Sequence, residues 1–104
     1  MDNFRILYKI LHVLEKAMGI EEFDVSDISA ESLNISVPRW NSLMEILSDE
    51  GFVKGITVHH HMSGETVTVV SKPVITLKGL EYLHENSLMK KAANIAKGIS
   101  EIIS

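Results

Sequence analysis

The chain has 104 residues, 45% of them hydrophobic and 23% charged, with a formal net charge of −4, enough for one compact domain and too short for two. It contains no cysteine, which excludes a disulfide scaffold, thiolate zinc sites, iron–sulfur clusters and a cysteine nucleophile, and sets the expectation of a reducing, cytoplasmic location. Met1–Arg5 is not a basic leader, and no stretch approaches the ~18 uninterrupted apolar residues of a membrane span, so neither secretion nor a membrane partner is expected.

Phe4, Leu7, Tyr8, Leu11, Leu14 and Met18 follow helical spacing, and Ile6, Ile10, Val13 and Ala17 run beside them as a second apolar line. The polar remainder is a stripe of Arg5, Lys9, His12 and Lys16, read as a solvated face. A helix apolar around most of its circumference is expected to pack on two sides. The acidic stretch Glu21–Val25 is read as partly extended, and Ser26–Asp27 as the cap and first turn of a short second helix ending near Leu33. Asn34 tolerates the left-handed conformation of a sharp turn, Ser36 caps the next helix, and Pro38 suits its first turn. Trp40, Leu43, Met44 and Leu47 trace the inward face of that helix, which Gly51 stops.

Phe52–Met62 and Glu65–Thr76 alternate like strands, with Ser63–Gly64 as a two-residue hairpin loop. That loop would pair Val58 with Val69, His60 with Val67, His59 with Thr68 and His61 with Thr66, leaving one face apolar and the other His and Thr. Thr76 caps a helix from Leu77 to about Glu85, and Asn86–Ser87 offers a break. Leu88, Ala92, Ile95, Ile99 and Ile102 then give a final amphipathic helix, weakened by Gly98.

These elements predict an α+β, mostly helical fold: a winged helix-turn-helix with a two- or three-stranded antiparallel wing and an additional C-terminal helix, residues 1–104 forming one domain. Three stretches carry a closer resemblance: Glu22-Phe23-Asp24-Val25 leading into Asp27-Ile28-Ser29-Ala30-Glu31, Gly51-Phe52-Val53-Lys54-Gly55, and Ile75-Thr76-Leu77-Lys78-Gly79-Leu80-Glu81-Tyr82-Leu83. With them the chain resembles the YjcQ family of small winged-helix proteins of bacteria and their phages. The resemblance implies the fold and a bacterial or prophage setting, and it brings no catalytic residues with it.

The winged-helix reading makes double-stranded DNA one expected partner, in a transcription-regulatory role. Arg39, Asn41 and Ser42 would face the major groove, and Lys54, His59, His61 and Lys72 would serve the wing. Charge points the other way, because residues 20–51 carry one cation, Arg39, against eight carboxylates. The competing expectation is an adaptor or dimerisation module whose acidic face, Glu45, Asp49 and Glu50, meets a basic protein. A homodimer is expected through Ile6, Ile10 and Val13 of the first helix and Leu88, Ile95, Ile99 and Ile102 of the last. His59 and His61 share a strand face about 7 Å apart with no third ligand beside them, so no metal is expected. His60 is read as a half-buried packing residue, His12 and His84 as surface residues, and Trp40 as core. With no Gly-rich phosphate loop, His-Glu-x-x-His or Gly-x-Ser-x-Gly, the sequence suggests neither enzyme nor cofactor.

Overall fold

The computed structural model describes residues 2–87. Helix α1 spans Asn3–Ala17 and is capped by Asp2, whose carboxylate accepts from the Arg5 amide at 2.8 Å. Its buried face is Ile6, Leu7, Ile10, Leu11 and Leu14, a single stripe at helical spacing. Phe4, 74% exposed, and Met18, 61% exposed, lie at the two ends beyond the reach of the core. Ile6 and Ile10 are 0% exposed within the chain's own core, so they have no surface to give a second subunit and leave the expected dimer interface. Val13 is half-buried against the same core, and Leu88, Ile95, Ile99 and Ile102 lie outside the described residues.

The short second helix is two pieces rather than one. A 3₁₀ turn at Val25–Ile28 is capped by Asp24, and helix α2, Ala30–Leu33, is capped by Ser29, whose hydroxyl accepts from the Ser32 amide. Asp24 holds both the amide and the hydroxyl of Ser26, at 3.0 and 2.7 Å, and these bonds, the hydroxyl's foremost, keep its carboxyl below the ordinary aspartate value. Asn34 ends α2 at φ 56°, ψ 48°, the left-handed turn expected of it, and the Ile35 amide closes back on the Ala30 carbonyl at 3.0 Å.

Helix α3, Val37–Asp49, starts at the Ser36 cap with proline in its first turn. Leu43, Met44 and Leu47 are buried, and half-buried Trp40 joins them, its indole N–H donating to the Ile28 carbonyl at 2.8 Å. Gly51 closes the helix at φ 74°, with the Phe52 amide bonded to the Leu47 carbonyl.

Strands β1, Val53–His60, and β2, Thr66–Ile75, form one antiparallel hairpin. The observed pairs are Val58 with Thr68, His59 with Val67 and His60 with Thr66, one residue away from the expected register. The loop is the cause. His61 accepts from the Gly64 amide and donates to the Glu65 carbonyl, so Met62, Ser63 and Gly64 make a three-residue turn with glycine at φ 90°. The slip exchanges the faces. Ile56, Val58 and Val70 now look inward together with Thr66 and Thr68, while Thr57, His59, Val67 and Val69 look outward.

Nearer its base the hairpin is bulged. Lys54 pairs with Val74 and Ile56 with Val70, so Gly55 alone faces Ser71, Lys72 and Pro73. Gly55 takes φ 89° and Lys72 φ 49°.

Thr76 then caps helix α4, described over 77–87. Its hydroxyl accepts from the Gly79 amide at 3.2 Å and donates to the Gly51 carbonyl at 2.5 Å. Phe52 and Tyr82 pack with ring centroids 5.1 Å apart, and burial pushes the Tyr82 hydroxyl above the ordinary tyrosine value. Asn86 and Ser87 continue the helix instead of breaking it, the Asn86 amide bonding back to the Tyr82 carbonyl.

The inward face of the hairpin contains one flaw. Thr68 Oγ1 is buried and has no hydrogen-bond partner among the described residues. Removing a buried, unpaired hydroxyl while keeping its shape recovers a desolvation cost, so Thr68→Val is expected to raise stability by about 1 kcal/mol. Urea denaturation checks this, and a lowered midpoint would show that the hydroxyl is satisfied.

Candidate interaction surface of the third helix and hairpin

The N-terminal half of α3 and the tip of the hairpin enclose an open cleft of about 460 Å³, lined by Val37, Pro38, Asn41, Ser42, Glu45, His60 and, from the end of the turn and the start of β2, Gly64, Glu65 and Thr66. Two side chains hold its walls together. The Asn41 amide donates to the Thr66 carbonyl at 3.3 Å, and His60 spans the gap, one ring nitrogen on the Glu45 carboxylate and the other 3.1 Å from the Thr66 hydroxyl. His60 is therefore a bridge from the hairpin to α3, with its ring largely exposed, rather than a half-buried packing residue.

The residues expected to face a DNA groove divide sharply. Asn41 is only 9% exposed and its amide is committed to Thr66, so it faces the hairpin and not a base edge. Arg39 is half-buried, and its Nε donates to the Asn3 side chain at 2.8 Å, tying α3 to the start of α1. Ser42 is exposed as expected. What α3 shows to solvent is Val37, Pro38, Ser42, Ile46 and Asp49, with Glu45 at the edge of the cleft. That face is apolar and acidic.

The hairpin residues divide as well. Lys54, His59 and His61 are exposed, and His59 lies on the outward face with Thr57, Val67 and Val69. Lys72 is set apart in the bulge, where it lines a different groove with Glu21 and Glu22. Among the described residues no group of three or more His, Asp or Glu side chains could hold a metal ion, and no helix is long and apolar enough to cross a membrane.

Glu65 is the residue that sequence reasoning missed. A two-residue loop makes it the first residue of a strand, whereas the three-residue turn sets it on the rim of the cleft. The available signal was Gly64 itself, since glycine at the third loop position marks a type I turn followed by a bulge.

A family model described as YjcQ protein matches residues 8–102. The chain belongs to the YjcQ family. The match takes in α3 and both strands of the hairpin, the elements that line the cleft. No match was found among curated proteins or solved structures. In this YjcQ-family chain the cleft joins two carboxylates, a bridging imidazole and an apolar rim of Val37 and Pro38. Chemically it is suited to a long side chain with an apolar stem and a cationic head.

Proposed function

We propose that this YjcQ-family chain is a winged-helix domain that binds a basic segment of a partner protein in the cleft between α3 and the hairpin. The order of helix, short helix, left-handed turn, helix, hairpin and helix supports the winged-helix assignment. The observation that carries the function is the fate of the reading helix. Its arginine and asparagine are bonded within the fold, and the face it leaves to solvent carries Asp49, with Glu45 at the edge of the cleft. Phosphates would be repelled there, and a lysine or arginine would be attracted. The role is that of a non-enzymatic adaptor in a bacterial or prophage cytoplasm.

Fluorescence anisotropy of a labelled arginine-rich peptide tests it. The chain should bind the peptide with an affinity that falls with salt, and Glu45→Lys combined with Glu65→Lys should weaken binding by at least tenfold, about 1.4 kcal/mol. Glu21→Lys combined with Glu22→Lys, outside the cleft, should have a much smaller effect. Equal losses in the two variants would reduce the interaction to net charge and sink the proposal.

One observation favours a second reading, duplex DNA held by the hairpin: Lys54, His59 and His61 are all exposed. Binding of a mixed-sequence duplex that weakens linearly with log salt, and that Lys54→Glu reduces, would support that reading. No binding at low salt would remove it.

A further inference from the structure

A second groove, of about 870 Å³, shares no lining residue with the cleft. It runs between the end of α1, the loop that follows, and the base of β2, with half-buried Phe23 and buried Ile75 in its lining. Met18, Ile20 and Val74 line it as well and are each more than half exposed, so it is a shallow apolar trough. Glu21, Glu22 and Lys72 supply its charges. Among the described residues the ion pairs are those of Arg5 with Asp2 and of His60 with Glu45, and these three charges have no ion-pair partner there.

The shape and chemistry of the walls narrow the occupant. A small-molecule site encloses most of its ligand, whereas walls this exposed would leave a small molecule largely in water and suit an elongated element lying along them. That element is not an added strand. Lys72 takes φ 49°, outside strand geometry, and Pro73 has no N–H to donate, so this stretch of β2 cannot extend a ladder to a neighbour. The occupant must therefore bring side chains rather than backbone, as an amphipathic helix does when its apolar face lies in a groove. Charge sets its flanks: a lysine or arginine complements Glu21 and Glu22 on the loop, and an acidic residue complements Lys72 on the strand.

We propose that the groove between α1, the 20–25 loop and β2 is a docking site, separate from the cleft, for an amphipathic helix of a partner protein. The helix lays an apolar stripe on Met18, Ile20 and Val74, with a basic flank at Glu21 and Glu22 and an acidic residue at Lys72. The probe is an alanine-based helical peptide with leucines along one stripe, lysines on one side of it and a glutamate on the other, titrated into the ¹⁵N-labelled full chain. Amide signals of residues 18–25 and 72–75 should move, while those of Met62–Gly64 at the hairpin turn stay in place. A peptide with glutamine for every leucine should bind roughly tenfold more weakly or worse, since buried apolar anchors carry most of such an interface. Ile20→Ser combined with Val74→Ser, both at exposed positions that leave the core intact, should cause a similar loss. Glu45→Lys combined with Glu65→Lys, in the cleft, should leave this peptide's affinity unchanged, so the result does not depend on whether the cleft takes a basic segment. Shifts confined to the cleft, or equal binding of the leucine-free peptide, would overturn the proposal. So would groove signals that move when the chain alone is diluted, which would assign the groove to a second copy.

Discussion

Gly79→Ala is expected to destabilise the fold by roughly 2–4 kcal/mol, although alanine is the better helix former by about 1 kcal/mol. Gly79 lies in the first turn of α4, where a Cβ would fall 2.5 Å from the Phe52 carbonyl oxygen and 2.7 Å from Ile75 Cγ1. Neither neighbour can retreat. The Phe52 carbonyl already accepts from the Thr76 amide at 2.9 Å, and Ile75 is buried in the core. The added methyl must lift α4 from the start of β1, loosening the Thr76 cap and the packing of Tyr82 on Phe52 together. Thermal unfolding should show a fall of about 8 °C or more, since each kcal/mol is worth about 4–8 °C in a domain of this size. An unchanged or raised midpoint would mean that helix propensity governs this position and that the close approach is not tight in solution.

The same physics explains which features were legible in the sequence. Asn34, Ser36, Pro38 and Thr76 do their work within a few residues of themselves, and each takes the expected cap or turn position. The hairpin register depends on a contrast between strand faces that this sequence barely contains. Thr66-Val67-Thr68-Val69-Val70 sets β-branched residues of similar size on both faces, so alternation alone cannot choose between adjacent registers, and the length of the turn decides. Val67 and Val69 stay 37% and 47% exposed as a result.

The position of Asn41 was illegible for a related reason. On α3 alone it falls beside the outward positions, and only a carbonyl 25 residues later, delivered by the slipped hairpin, draws its amide inward. Arg39 was claimed in the same way by Asn3 at the start of α1. Charge was more informative, because the carboxylate excess over residues 20–51 survives any arrangement of the side chains. The acidic face could be named in advance, whereas the cleft it borders could not.

Gly55→Ala should cost roughly 3–5 kcal/mol, combining about 1–2 for a left-handed alanine with about 2–3 for steric overlap. At φ 89° glycine is the residue that meets no Cβ penalty. A Cβ there would also stand 2.5 Å from the Ser71 carbonyl oxygen and 2.8 Å from that of Lys72, both backbone atoms of the bulge. The bulge separates two registers, Val53 with Ile75 at the base and Ile56 with Val70 toward the tip. Relief of the clash must therefore come from spreading the strands at that junction. Ile56 and Val53 are both buried, so the spread reaches the core. It also moves the far end of the hairpin, where Thr66 receives Asn41 and His60 meets Glu45. Gly55→Ala should accordingly unfold at lower urea and, under conditions where it remains folded, bind the arginine-rich peptide less tightly than the parent chain. Loss of stability with undiminished peptide affinity would show that the cleft is set by α3 and the hairpin turn alone, independent of the bulge that aims them at each other.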